Sequence, residues 1–559
     1  MYREKGFNMA GKGIKNELAE KLSEAIKKLS GTYGDFEMPT IILENPKDKG
    51  HGDFASNAAM VLAGKLKKKP REIATAITET FKCDLVEKTE IAGPGFINFF
   101  LTPTAWHTVI KDVISEGEKF GSSDLGGGKR CNIEFVSANP TGPLHIGHGR
   151  GAVVGDVLAN VLEFAGFNVT REYYVNDFGN QMDKLGKSLK YRYLESLGME
   201  CEFPEGGYPG DYLKEIAEEL KAQNGKSLLA SDDTFFSKTA SVRILKIIQD
   251  DLQTFRVGFD IWSSETKLHE SGEVAECVAF LRSKGIIYEN DGALWLKSTD
   301  YGDEKDRVVI RQNGLPTYLA SDISYHRDKY ERKYDLVIDI WGADHHGYIP
   351  RMKSVIEAMG YDPSTFRVLL IQMVNLMRQG KPVAMGKREG EFVTMREVLD
   401  EVGVDACRYF FLERKSDAHL NFDLDLAREQ SNKNPVYYVQ YAHARIASVL
   451  RKAEEAGIDI NDLKSADLSL LKNTAELEIL KKINAFRDVV ELMASSFEPH
   501  HLTFYLKELV SLFHSYYYDN PIVGEDRELT RARLLFVTIV KMVIARGLKL
   551  LNVLAPERM

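Results

Sequence analysis

Two imidazoles three positions apart, His145 and His148, stand at the end of the stretch Cys131 to Arg150, CNIEFVSANPTGPLHIGHGR. The apolar run Ile133 to Val136, broken by Glu134, reads as a strand. Asn139-Pro140-Thr141-Gly142-Pro143 reads as a tight turn, and small and apolar residues at helical spacing from Ala152 to Phe164 predict a helix. A loop of this kind aims free backbone N–H groups and the positive helix end at whatever binds above it, which suits a phosphate. On the first helical turn the two rings share one face and both can donate to phosphate oxygens. Ordinary polarity at a helix start is the plain alternative. A metal pair is another, but no third ligand lies nearby and the Pro-Gly loop adds nothing to it.

Further along, Leu336 to Ile340 is a near-continuous apolar run, typical of a strand covered on both faces. Gly342 and Asp344 follow it, a pattern that suits a ribose because glycine permits close approach and the carboxylate accepts from hydroxyls. The polar loop Ala384 to Gly390 carries adjacent cations, Lys387 and Arg388, ahead of a helix with Thr394 and Glu397 spaced as a capping box. Cations on such a loop suit charge that develops on a triphosphate.

These residues need several units to position them. At 559 residues the chain exceeds one core, and 44% hydrophobic with 28% charged residues is ordinary for a globular protein. Residues 1–120 read as a small α+β domain, with helices over Lys15 to Leu29 and Ala55 to Leu66, Asp53 as a cap, and an alternating strand in GPGFINFF. Residues 121–416 read as an α/β catalytic domain, entered through a linker at Gly121 to Gly128 and interrupted by an insertion at about 185–300. From 417 to 559 long amphipathic helices predict a bundle, among them Val436 to Ala456 and Ala475 to Ser495. The apolar stretch Leu534 to Leu551 is interrupted by Lys541, Arg546 and Lys549, so no membrane span is expected. Five scattered cysteines form no C-x-x-C pair, which points to a reducing cytoplasm and to no structural metal. A net charge of −9 neither advertises nor excludes a nucleic-acid partner.

His145-Ile146-Gly147-His148 in this setting resembles the nucleotide-binding signature of class I aminoacyl-tRNA synthetases. The GPGFINFF strand, the run NPVYYVQYAHARI (Asn434 to Ile446) and the terminus Ala555 to Met559 narrow that resemblance to the arginyl-tRNA synthetase family, over essentially the whole chain. The Ala384 to Lys387 loop resembles the second class I signature, Lys-Met-Ser-Lys, with Ala384 for its first lysine and Gly386 for its serine. The resemblance implies a Rossmann-like catalytic domain between an N-terminal α+β domain that meets the tRNA elbow and a C-terminal helical domain that reads the anticodon. It implies L-arginine, ATP with Mg²⁺, and tRNA(Arg) as substrates, with most members needing bound tRNA to activate the amino acid. A monomer is expected.

The same resemblance assigns residues. His145, His148, Lys387 and Arg388 would serve the phosphates, and Gly147, Gly342, Asp344, His345 and Met385 the nucleotide. Glu134 and Asn139 would hold the α-amino end of arginine, while Glu265, Tyr318 and Asp322 would face the guanidinium. Tyr318 and Asp322 stand four apart, on one helix face. A guanidinium is planar, with five donors and no acceptor, so carboxylates and a phenol suit it better than they suit an ammonium. Phe96, Asn98, Tyr441, Arg445 and Met559 would meet the tRNA, with Tyr437, Tyr438 and His443 as further stacking or cationic groups. Three rivals share parts of this pattern: another class I synthetase, a small-molecule nucleotidyltransferase sharing the H-x-G-H loop, and a synthetase-like RNA-binding protein without chemistry.

Overall fold

The computed structural model describes residues 13–46, 48–383 and 393–559. Its centre is a five-stranded parallel sheet in the order Phe366–Ile371, Leu336–Gly342, Arg130–Glu134, Asn168–Val175, Ile261–Ser264. The chain winds outward on one side from Arg130–Glu134, then crosses to the other side at Leu336–Gly342. Ligands on such sheets bind beyond the carboxyl ends of the strands, at the place where the order reverses. Asp339 lies in register with Glu134 across that junction. Ile133, Val337 and Ile338 are fully buried, as the unbroken apolar run requires.

The helix carrying the two histidines, Ile146–Phe164, is buried along most of its length. Its small residues let it lie hard against the sheet: a Cβ on Gly155 would come 2.3 Å from the Phe135 ring. Arg150, on the same helix, donates to the carbonyls of Gln372, Ala418 and Lys415. Asp156, two turns further on, pairs with the fully buried Arg408. Arg408 also donates to the carbonyls of Leu551, at 2.7 Å, and Phe255, at 2.8 Å, so residues near the C-terminus close the catalytic core.

The insertion expected at about 185–300 is two separate features. Helices Asn180–Ser196, Asp211–Asn224 and Asp233–Thr254 form the crossover into Ile261–Ser264. A three-stranded antiparallel sheet, Ile287–Asn290, Ala293–Leu296 and Arg307–Ile310, then separates the two halves of the fold and packs into a second core shared with the helix Tyr318–Glu331 and with Val337 and Phe366 of the central sheet. The sheet-bearing region also continues past 416. Leu420–Asp423 pairs in parallel with Val374–Met377, a strand too short to leave a periodic signal.

The N-terminal unit is a four-stranded antiparallel sheet in the order Leu43–Glu44, Phe54–Ser56, Phe96–Leu101, Val86–Ala92, with helices Ile14–Lys28, Ala58–Leu66 and Pro70–Thr80. Ala55 is therefore a strand residue, paired with Asn98, and not the start of a helix. Asp53 is not a cap. One carboxylate oxygen accepts from the Leu101 N–H and the other pairs with Lys481 at 2.7 Å.

Helices Pro435–Glu455, Thr474–Asn484, Phe486–Ser496, His501–Asp519 and Arg527–Leu550 build the bundle. The single helix expected over Ala475 to Ser495 is two, divided at Ala485. The two end units meet through Asp53–Lys481, Glu116–Arg487 at 2.9 Å and Lys15–Asp488 at 3.1 Å. Nor is Gly121 a free linker residue: a Cβ there would lie 2.3 Å from the Phe486 ring. Among the described residues no helix is long and apolar enough to cross a membrane.

Candidate active site

His145 caps the helix that His148 enters. The Nδ1 of His145 accepts from the Gly147 N–H at 3.1 Å, and the Nδ1 of His148 accepts from the His145 N–H at 3.3 Å. The rings stack with centroids 3.7 Å apart. With both Nδ1 atoms accepting, each neutral ring carries its proton on Nε2. Burial holds His148 down to about 3, the neighbouring His145 adding to the effect, and burial also lowers His145. The fold thus presents neutral N–H donors at a positive helix end, an arrangement suited to phosphate oxygens.

Glu134 ends its strand inside the switch-point crevice, 7% exposed. After it the backbone turns sharply: Val136 has φ +69° and Ser137 φ +42°. A β-branched residue in the left-handed region is strained by about 1–3 kcal/mol. The Ser137 hydroxyl fixes the turn by donating to Glu134 at 2.8 Å and accepting from the Tyr174 N–H at 3.1 Å. No periodic pattern announces such a turn. Asn139 donates to Gln181 at 2.5 Å, which ties the Pro-Gly loop to the YVNDFGNQ segment.

Beneath Glu134 lies a charged cluster that residue types and spacing did not reveal. Lys329, fully buried, reaches Glu134 at 2.5 Å and Asp339 at 2.8 Å, and His326 meets Asp339 at 2.9 Å. Burial alone would lower the Lys329 ammonium, but Asp339 and Glu134 more than offset it and leave it raised. Burial raises Glu134 against the pull of Lys329.

At the other end, Glu265 follows the strand Ile261–Ser264 and is 2% exposed. Its Oε2 has no hydrogen-bond partner. Burial pushes this carboxyl up to about 7, opposed by the Ser321 hydroxyl and reinforced by Asp322 and Asp177. Asp322 accepts from the Tyr348 hydroxyl at 2.5 Å, and burial raises it too. The Tyr174 hydroxyl is buried without a partner, and its pKa is raised by burial and then by Glu265 and Asp322. Tyr318, one turn before Asp322 on the helix Tyr318–Glu331, is 56% exposed. Asp177 braces this end, accepting from the Ser264 hydroxyl at 2.8 Å and the Thr266 N–H at 2.9 Å. An orphaned carboxylate oxygen and an orphaned phenol in one region are costly while empty. A planar cation with several donors satisfies them.

Gly342, Asp344 and His345 sit where the strand Leu336–Gly342 runs into a 3₁₀ turn, Ala343–Tyr348. All three are exposed, with the His345 ring 3.5 Å from Asp344. Tyr348 of the same turn joins them to Asp322. Met385, Lys387 and Arg388 lie outside the described residues.

The polynucleotide candidates divide. Arg445 lies between the rings of Tyr441, at 4.9 Å, and Tyr517, at 4.8 Å, and Met559 is exposed. His443 is 3% exposed and its Nδ1 meets the Pro556 carbonyl at 2.8 Å, so it pins the C-terminal segment and is no surface cation. Phe96 is half-buried, whereas Asn98 is 3% exposed. The open aromatic–amide face expected there is therefore closed at its middle residue. Among the described residues one group, Glu498, His500 and His501, brings metal-ligand atoms within 4.8 Å of one another, and Lys415 already pairs with its carboxylate.

A doubly wound sheet, a His-x-x-His helix start at its reversal point and a glycine-led turn across the junction are the arrangement expected of a class I aminoacyl-tRNA synthetase catalytic domain, and comparison with known proteins shows that class. The match to the family model "tRNA synthetases class I (R), catalytic domain" covers residues 109–448. An "Arginyl tRNA synthetase N terminal domain" model matches 16–101, and a "DALR anticodon binding domain" model matches 439–559. The chain belongs to the arginyl-tRNA synthetase family. It is 50% identical over 536 residues to the arginine–tRNA ligase of Citrifermentans bemidjiense, covering 95% of this chain and 97% of the relative. With that of Desulforamulus reducens it shares 48% over 556 residues, covering 98% and 99%. The fold matches Thermus thermophilus arginyl-tRNA synthetase with a TM-score of 0.75 at 21% identity, over 97% of this chain and 99% of that one.

Proposed function

We propose that this chain joins L-arginine to tRNA(Arg) in two steps within the switch-point crevice. In the first, an arginine carboxylate oxygen attacks the α-phosphorus of ATP, the bond to the β-phosphate breaks, and pyrophosphate leaves. In the second, the 2′-OH of the terminal adenosine attacks the carbonyl carbon, its proton is lost, and AMP departs. The carboxylate is already a nucleophile, so the first step needs no general base and depends on alignment and on stabilising phosphate charge.

The unpartnered Glu265 carboxylate oxygen, held among Asp322, Asp177 and the orphaned Tyr174 hydroxyl, carries this reading. Glu265, Asp322 and Tyr318 face the guanidinium. Glu134 and Asn139 take the α-amino end, His145 and His148 donate to the phosphates beside Gly147, and Gly342, Asp344 and His345 hold the nucleoside. Met385, Lys387 and Arg388 close on the pyrophosphate side, an assignment that rests on sequence alone, and Mg²⁺ arrives with the ATP. Phe96, Tyr441, Arg445 and Met559 meet the tRNA through the N-terminal domain and the C-terminal helices, while the buried Asn98 lies behind that surface. A single chain supplies every one of these groups, which supports action as a monomer. Five unpaired cysteines, three of them buried, favour the cytoplasm.

Exchange of pyrophosphate into ATP tests the reading. Arginine should drive it, most strongly with tRNA(Arg) present. Exchange driven by another amino acid, or by none under either condition, would overturn it. Lys387→Ala should lower kcat strongly with little change in the KM for arginine.

A further inference from the structure

The buried lysine beneath the crevice has a place in this chemistry that goes beyond the roles above. Glu134, Lys329, Asp339 and His326 form an unbroken line of alternating charge capacity that runs from the crevice inward. Lys329 is fully buried, so its ammonium takes no part in chemistry directly. The Tyr325 ring centroid lies 4.6 Å from it, and the carboxylate of Glu172, on the strand Asn168–Val175 and paired with Arg332, acts on it electrostatically. Glu134 is oriented from both sides, by the Lys329 ammonium on one oxygen and the Ser137 hydroxyl on the other.

We propose that Lys329 is a positioning residue for the amino-acid end of the site: shared between Glu134 and Asp339, its ammonium holds Glu134 as an oriented carboxylate that receives the α-ammonium of arginine. The inference rests on the reading of Glu134 given above. A buried carboxyl with no cation beside it takes up a proton, and a protonated Glu134 offers the α-ammonium a far weaker partner. The line also accounts for the placement of Lys329 on the helix that presents Tyr318 and Asp322, since one rigid element then serves both ends of the amino acid.

The test compares L-arginine with 5-guanidinopentanoate, which keeps the guanidinium and carboxylate but lacks the α-amino group. The KM of the first and the Ki of the second are read in complete aminoacylation reactions with ATP and tRNA(Arg). Lys329→Met alone leaves two buried carboxylates without their shared cation and is liable to misfold. The double variant K329M/D339N removes one of them and keeps an acceptor for His326. In it the KM for arginine should rise about tenfold or more, while the Ki of the analogue and the KM for ATP stay within about twofold. A purely structural role would shift arginine and analogue alike, and that result, or no shift in either, overturns the proposal. Glu134→Gln separates the two layers. If it too leaves the preference for arginine over the analogue intact, the reading of Glu134 fails. If it abolishes that preference while K329M/D339N keeps it, only the role of Lys329 fails.

Discussion

Burial brings the Glu265 carboxyl into the neutral range, where a bound guanidinium would draw off its proton. Its folded pKa, about 7, lies above the ordinary glutamate value of 4.5, so folding takes up a proton between those limits. The sign follows from linkage: this group favours the empty folded chain below about pH 4.5 and loses that contribution as pH rises through 7. Arginine binding runs the other way, because it needs the carboxylate. The KM for arginine should fall as pH rises from 6 to 7.5, by up to about tenfold per unit below 7, and calorimetry in buffers of different ionisation enthalpy should detect a released proton. Glu265→Gln should bind arginine more weakly and lose the slope; a wild-type KM flat across that range would contradict the assignment. At the phosphate end, His148→Asn should lower kcat in pyrophosphate exchange by roughly 10²–10³ while leaving the KM for arginine within about twofold. His148 is held at about 3, below the ordinary 6.5, so it costs the folded chain stability as pH falls through that window, and the variant should resist acid better. The two histidines stood out by their spacing at a strand–loop–helix start, whereas Glu265, Tyr318 and Asp322 were singled out by the family resemblance and not by local pattern. Lys329, Asp177 and the strained Val136–Ser137 turn were singled out by neither. Their importance comes from partners up to 195 residues distant in the chain, which local pattern does not record.

Among the elements, the histidine-bearing helix is the one whose depth matters most. A Cβ at Gly155 would lie 2.3 Å from the ring of Phe135, itself fully buried, so the helix and the sheet cannot both stay in place. Gly155→Ala should cost about 1–3 kcal/mol in chemical denaturation and lower kcat as the two imidazoles shift from the crevice. An unchanged midpoint would mean the sheet absorbs the methyl freely. Helical spacing of small residues revealed this helix, and the unbroken apolar run revealed the strand Leu336–Gly342. The strand Leu420–Asp423 escaped because four residues carry no period. Ala55 was misassigned because the strand Phe54–Ser56 passes almost at once into a true helix at Ala58.

In the molecule taken whole, the small N-terminal sheet and the helical bundle are joined across the catalytic unit by side chains far apart in sequence. Lys481, which pairs with Asp53, also lies 5.4 Å from the Trp106 ring, so it serves both charge and packing at that junction. Lys481→Asp should raise the KM for tRNA about two- to fivefold, the range expected when a partly exposed pair of about 0.5–1 kcal/mol is lost, with the KM values for arginine and ATP unmoved. Lys481→Arg, which keeps the pair and leaves Asp53 bound to the Leu101 N–H, should hold the wild-type KM, and damage equal to that of Lys481→Asp would refute docking through this pair. Composition gave no hint of the junction, since a net charge of −9 says nothing about where opposite charges meet. The three-unit plan was legible from the change of period along the chain.

The anchoring of Arg408 on the Leu551 carbonyl has a consequence for how the molecule is made. The two residues are separated by 143 positions. At about 5–20 residues per second, a ribosome needs roughly 7–30 s to travel between them. For that interval the Arg408 guanidinium, destined for the interior, has Asp156 and the Phe255 carbonyl but lacks its Leu551 acceptor. Vectorial synthesis should therefore leave the nucleotide-binding half open to proteases and chaperones until translation has passed Leu551.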